Sequence, residues 1–248
     1  MQRTLADWLS EGPFTLALSS SFFGFYAHCG VVAAFETLGL KPAKVTGSSA
    51  GALIAGAMAS GLNSMETKKL LFSIQRPDFW DPGFGLGYLR GRKFHDLLVR
   101  SFVSRFEDAS LPFEVAVFDV MRFRTEFIHE GPVASAIAAS CAVPMMFHPV
   151  VRRGRLLLDG GVLEKSGINP RDERVLCVFL ESKGWMGAYE RRTSFSRLKA
   201  GHKIVRFKSL PKVNMMDLST GQHAFAEAYR RALGLFELRL QSENIFDI

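Results

Sequence analysis

A chain of 248 residues, 48% hydrophobic and with a formal charge of +7, is long enough to bury a sizeable core, and a single domain over 1–248 is expected. The basic residues are spread along the chain without a zinc-finger, RNP or heptad-bearing basic pattern, which excludes nucleic acid as the expected partner and favours an anionic lipid surface. Cys29, Cys141 and Cys177 form no CxxC pair, and no window offers about 18 uncharged apolar residues free of glycine breaks. With no signal-like apolar core at the N-terminus, the expectation is a cytoplasmic protein, peripheral at the membrane surface.

In chain order, TLALS (Thr15 to Ser19) reads as a strand, residues from about His28 to Leu38 as a helix, KVT (Lys44 to Thr46) as a strand, and a second helix opens at or just after Ser49. This strand-helix alternation predicts an α/β fold with a mainly parallel sheet covered by helices. FEVAVFDV from Phe113 and FRTEFIHE from Phe123 are joined by Met121 and Arg122 alone, so they form an antiparallel hairpin and the sheet is mixed. RLLLD from Arg155, RVLCVFLE from Arg174 and KIVRF from Lys203 supply further strands. At the C-terminus Phe225, Tyr229, Leu233, Phe236 and Leu240 recur at helical spacing and predict one amphipathic helix laid on the core.

Two segments break this rhythm. Residues 76–93 combine turn residues with Trp80, Phe84 and Tyr88 and end in Arg90, Arg92 and Lys93, which suits a lid or an interfacial loop. Residues 182–196 repeat the theme with Trp185, Met186, Tyr189, Arg191 and Arg192. The alternative for both is that the aromatics cover the ends of the sheet.

The stretch VTGSSAGALIAG places Ser49 between Gly47 and Gly51, a G-x-S-x-G pattern that follows a strand and opens a helix. Glycine at both flanks lets strand and helix approach while the serine sits on a strained turn with its hydroxyl exposed. The Ala50 N–H, at the positive end of the helix dipole, would face a developing oxyanion. In the alternative, Ser49 is only an N-cap on a tightly packed helix.

A serine nucleophile needs a proton acceptor. The order of an α/β-hydrolase triad would call on His202 or His223, yet one begins a strand and the other a helix, neither in a loop after a strand. Asp159 is the better candidate: it ends the apolar strand RLLLD, where α/β proteins build sites, and Gly160 and Gly161 allow a tight turn. Its carboxylate can act as base if a partly apolar site raises its pKa, although an Asp-Gly pair also serves as a simple turn.

With Gly47 to Gly51 upstream, Asp159 to Gly161 downstream, FFGFYAHCGVVAAFETLGL before the serine and AIAASCAVPMMFHPV from Ala136 to Val150, the chain resembles the patatin-like phospholipase family over about Thr15 to Asn169. That resemblance implies a three-layer α/β/α fold. It also implies a serine–aspartate dyad, Ser49 as nucleophile and Asp159 as base, that hydrolyses lipid acyl esters through an acyl-enzyme with no cofactor and no metal. The glycine-rich oxyanion loop of the family corresponds here to Ser19-Ser20-Ser21-Phe22-Phe23-Gly24, so the implied donors beside Ala50 are the backbone of Ser20, Ser21 and Gly24. No basic residue lies between Thr15 and His28, and Arg122, Arg152, Arg153 and Arg155 are the alternatives. Phe22, Phe23, Phe25, Met145, Met146 and Phe147 are candidates to line an acyl channel. The expected function is a phospholipase A-like or lipid-esterase activity. The rival readings are a non-hydrolytic lipid- or acyl-binding protein, and an acyltransferase or thioesterase.

Overall fold

The computed structural model describes residues 4–181, 195, 198–213, 218–239 and 244–248. The chain opens with α1 (Leu5–Ser10), whose first turn is closed by a capping box between Thr4 and Asp7, then enters β1 (Thr15–Leu18) and α2 (Phe25–Thr37). β2 (Lys44–Ser48) runs directly into α3 (Ala50–Ala59), followed by α4 (Ser64–Ser73), which has its own capping box between Asn63 and Glu66. Next come β3 (Gly87–Leu89), α5 (Arg92–Ser101), β4 (Phe113–Asp119), β5 (Arg124–Ile128) and α6 (Val133–Ser140). Three short strands follow, β6 (Met145–Phe147), β7 (Val150–Arg152) and β8 (Arg155–Asp159). The chain ends with β9 (Val175–Leu180), β10 (His202–Phe207), α7 (Gly221–Leu233) and β11 (Ile245–Asp247).

The sheet runs β11-β10-β9-β1-β2-β4-β8-β7, with β5 on the other edge of β4. The five pairings from β11 to β4 are parallel, and those of β4 with β5 and β8 and of β7 with β8 are antiparallel. The mixed, mainly parallel sheet expected from the sequence is present. Alternation along the central strands divides the core: Leu16, Leu18, Leu176 and Val178 face the large core with α2, α3, α6 and α7, while Ala17, Val175, Cys177 and Phe179 face a smaller one with Ile168, Phe195 and Leu198. The fold is the expected mixed α/β class built on a central sheet, and among the described residues the helices pack on one face of it.

Some expectations change in detail. The helix placed from about His28 begins three residues earlier at Phe25, just after Gly24. The hairpin turn spans four residues rather than two, because the Asp119 carboxylate accepts from the N–H groups of Met121 and Arg122 and ends the strand there. The C-terminal helix stops at Leu233 with Gly234 as its cap. Its fully buried stripe is Gly221, Ala224, Ala228 and Ala232, where Gly30 of α2 meets the Phe225 backbone, while Phe225, Tyr229 and Leu233 lie partly buried against the core as their spacing predicts. The side chain of Phe236 and all of Leu240 lie outside the described residues. So do Trp185, Met186, Tyr189, Arg191 and Arg192.

Candidate active site

The register of β4 brings two distant strand ends together. On one edge of β4, Ser48 of β2 pairs with Ala116, and Asp159 of β8 pairs with the next residue, Val117. Ala116 and Val117 both pair with β5 on the opposite edge, so β2 and β8 must share the first. β2 runs parallel to β4 and β8 antiparallel, so the two meet end to end. The residue leaving β2 is Ser49, and the residue ending β8 is Asp159.

At this junction Ser49 takes φ 51° and ψ −116°, outside the ordinary regions for a non-glycine residue. Its surroundings hold it there. The Ser49 N–H donates to Ser140 Oγ at 2.8 Å, whose own hydroxyl donates to the Ala116 carbonyl at 2.6 Å. The Ser49 carbonyl accepts from Ala52 and Leu53 N–H, starting α3, and from the Cys141 thiol at 3.3 Å. Two glycines make the sharp path sterically open: a Cβ on Gly47 would overlap the Gly51 carbonyl, and one on Gly51 would overlap the Leu18 carbonyl. Gly160 is under the same constraint from the Ala116 carbonyl, and a Cβ on Gly161 would collide with Ser20.

Ser49 makes no side-chain cap on α3. Its hydroxyl donates instead to Asp159 Oδ2 at 2.7 Å, across 110 residues of sequence, while Asp159 Oδ1 accepts from Gly161 N–H at 2.7 Å. The carboxylate thus closes its own Asp-Gly turn with one oxygen and meets the serine with the other. Asp159 is 5% exposed, and burial pushes its pKa up from 3.8 to about 6, against the opposing pull of the Ser49 hydroxyl, the Gly161 N–H and the Lys165 charge. A carboxylate at that pKa is ionised at neutral pH yet basic enough to accept a proton from a nucleophile.

Ser49 and Ala50 line a cavity of about 110 Å³ whose walls are almost wholly apolar: Phe22, Phe23, Phe25, Leu53, Phe79, Phe94, Val143, Met146 and Phe147. Five of the six side chains proposed from sequence as channel lining are there. The sixth, Met145, is not among them; φ 66° turns it outward to 85% exposure.

The serine-rich loop divides in two. Ser20 donates its N–H to the Lys165 carbonyl at 2.8 Å and Gly24 donates to the Ser21 carbonyl at 3.1 Å, so these two expected oxyanion donors are already committed. Ser21 lines the cavity with Ser49 and Ala50 and remains a candidate. The commitment follows from how the loop is strapped down. Ser19 gives its N–H to Val178, accepts from Leu180 N–H with its hydroxyl, and accepts from His28 Nε2 at 2.8 Å with its carbonyl. Burial lowers the His28 pKa to about 4, so the ring is neutral and serves as a fixed donor. Gly24 has a steric role instead, since a Cβ there would overlap Ser21 and Leu180.

The histidines proposed for a triad are elsewhere. His202 is buried at the start of β10, at the opposite end of the sheet from Ser49, and bonds the Asp172 carbonyl; His223 is exposed on α7. Of the arginine alternatives, Arg155 pairs with Asp119 and Glu126, Arg122 lies beside Glu126, and Arg152 and Arg153 bond Glu130. Sequence reasoning missed Ser140 and Lys165. Ser140 lies inside the stretch from Ala136 to Val150 that carried the resemblance, but nothing about a helical serine signals that it braces another residue's N–H.

Residues 16–171 match the sequence model of the family described as patatin-like phospholipase. An uncharacterized NTE family protein of Mycobacterium tuberculosis is 31% identical over 166 residues, 62% of this chain and 44% of that protein. Lysophospholipase nte1 of Emericella nidulans is 29% identical over 146 residues, 56% of this chain and 10% of that protein. The chain therefore spans less than half the length of these curated relatives. Among solved structures, VipD from Legionella pneumophila aligns with a TM-score of 0.65 at 12% identity, over 91% of this chain and 67% of that chain. The type III effector protein ExoU aligns with a TM-score of 0.52 at 15% identity, over 91% of this chain and 53% of that chain. At such identities these two similarities concern the fold alone.

Proposed function

Because the chain belongs to the patatin-like phospholipase family, we propose that it is a lipid acyl hydrolase, one domain over 1–248, in which Ser49 and Asp159 are the working pair. The observation that carries this reading is the 2.7 Å hydrogen bond from Ser49 Oγ to Asp159 Oδ2, made by a serine that leaves its own helix uncapped. Ser49 Oγ attacks the ester carbonyl as its proton passes to Asp159. The oxyanion forms against the Ala50 N–H, with Ser21 as the second candidate donor. The intermediate collapses, the alcohol leaves with the proton from Asp159, and the acyl group remains on Ser49. Asp159 then deprotonates a water that attacks the acyl-enzyme, and the carboxylic acid departs as the proton returns to Ser49.

An apolar cavity ending at Ser49 supports a substrate with a fatty-acyl chain, and names such as lysophospholipase among the relatives fit phospholipid as the donor. The charge of +7 supports a protein that meets its substrate at anionic membranes, and three cysteines with no disulfide framework support the cytoplasm as its compartment. One observation favours a rival: with the Ser20 and Gly24 N–H groups committed, the oxyanion loop has fewer free donors, as a non-hydrolytic lipid-binding protein would tolerate. Transfer of the acyl group to an alcohol other than water, or its uptake from a thioester, would use the same pair.

Hydrolysis of a soluble short-chain p-nitrophenyl ester separates a working Ser49–Asp159 pair from binding alone. Asp159→Asn is expected to reduce the rate at least about 10³-fold, since both proton transfers fail. His202→Ala and His223→Ala are expected to retain wild-type rates per folded molecule. Equal loss in a folded histidine variant, or no turnover by the wild type, contradicts the proposal.

A further inference from the structure

Beside the mouth of the Ser49 cavity lies a surface that the proposed chemistry does not use. Phe84 is fully exposed at 104%, Leu86 at 74%, Tyr88 at 58% and Met145 at 85%. Apolar side chains scattered singly over a surface are ordinary, but these belong to one small structure. Pro82 bridges Leu89 and Gly83 N–H donates to the Tyr88 carbonyl, so residues 82–89 form a hairpin with Phe84 and Leu86 near its tip. Its second arm, β3, pairs with β6, placing Gly87 opposite Met145.

The hairpin is held firmly. Leu89 is completely buried, Trp80 packs edge-on against Tyr88, and the Asp81 carboxylate accepts from the N–H groups of Gly91, Arg92 and Lys93, fixing α5 at the hairpin's foot. A braced fold therefore presents its largest apolar groups to solvent, where they contribute nothing to stability.

We propose that this hairpin and Met145 form the surface by which the protein docks on an anionic lipid bilayer. The inference rests on the lipid-hydrolase reading and specifies where that enzyme meets its substrate. Charge selects the occupant: Arg90, Arg92 and Lys93 outnumber the two neighbouring carboxylates, Asp81, which is taken up by backbone N–H groups, and Asp96, and residues 82–89 and 143–151 contain no carboxylate. Apolar groups at the tip enter the acyl region while the cations behind them remain among anionic headgroups. A second copy of the chain fits poorly, because a two-fold contact through this face would bring the same cations together. Position gives the docking its use. β6 presents Met145 to the outside, and its next two residues, Met146 and Phe147, form the wall of the cavity that ends at Ser49. An acyl chain leaving the bilayer there reaches the serine without crossing water.

Co-sedimentation with phosphatidylcholine vesicles, with and without phosphatidylglycerol, tests this. The wild type is expected to partition to the anionic vesicles. Phe84→Ser/Leu86→Ser/Met145→Ser is expected to lower that partitioning by about tenfold or more. Arg90→Gln/Arg92→Gln/Lys93→Gln is expected to lower it comparably, and added salt to reduce wild-type partitioning toward that of this variant. Both variants should hydrolyse the soluble short-chain ester at wild-type rates, which verifies their fold. Undiminished partitioning of the apolar variant, or equal wild-type binding to neutral and anionic vesicles, overturns the proposal. So does conversion of a wild-type dimer to monomer by the apolar variant without loss of vesicle binding. Failure of the hydrolase reading looks different: vesicle binding persists while no ester is hydrolysed.

Discussion

The turn at Ser49 and the serine-rich loop facing it are both short connections at the same end of the sheet, yet close backbone contact constrains the first far more than the second. The turn is braced by hydrogen bonds with Ser140 and Cys141 and also by contact. Gly47 and Gly51 lie where a single methyl group would overlap a backbone carbonyl, and no side-chain movement can relieve that. In the loop, Ser19 and Ser20 are held by hydrogen bonds, Ser19 to Val178, Leu180 and His28 and Ser20 to Lys165, and contact with side chains enters only at Gly24. Close backbone contact demands glycine, whereas a backbone held by N–H and carbonyl bonds accepts serine. A glycine-poor loop is therefore compatible with an ordered site.

Substitutions can break this contrast at different points. The largest effect is expected from Asp159→Asn, with opposite signs in two assays. Activity is lost, while stability at neutral pH rises by about 1 to 3 kcal/mol in urea unfolding, since a buried charge is removed. The sign follows from the raised pKa. The folded state holds the Asp159 proton up to about pH 6 and the unfolded state releases it near 3.8, so the stabilisation from protonation is complete at low pH and is lost as pH rises through 6. For the same reason kcat/KM on a soluble ester should fall as pH drops through about 6, as the base becomes protonated.

Next in size, Gly51→Ala should cost about 3 kcal/mol or prevent folding, whereas the same methyl added at Gly12, where a Cβ meets nothing within 4 Å, should cost less than about 1 kcal/mol. Ser140→Ala leaves the buried Ser49 N–H without its acceptor, and about 1 to 3 kcal/mol of stability should be lost together with part of kcat. Smallest, Ser21→Ala keeps the backbone N–H and should change kcat/KM by less than about threefold. A large loss there would mean that the hydroxyl, and not the backbone, meets the oxyanion.

The parts of this site that could be read from the sequence are those with a local signature. Ser49 follows a strand and precedes a helix between two glycines, and Asp159 ends an apolar strand before two more, so both positions carried their chemistry in neighbouring residues. The central strands were legible because parallel strands buried on both faces appear as short apolar runs. What stayed hidden depends on register. Nothing in the sequence says that Ala116 and Val117 receive the ends of two different strands, that the Ser20 N–H is taken by Lys165, or that Ser140 braces Ser49. The C-terminal helix was legible in its aromatic spacing, since Phe225, Tyr229 and Leu233 pack on the core, but only the backbone approach at Gly30 shows that the alanine face is the most deeply buried.

Covalent capture tests the central claim most directly. When the folded protein is treated with a fluorophosphonate and digested, mass spectrometry should find the adduct on the peptide containing Ser49. The adduct should be absent from Ser49→Ala and formed far more slowly by Asp159→Asn. An adduct on another serine, or labelling that persists in Ser49→Ala, would contradict the account.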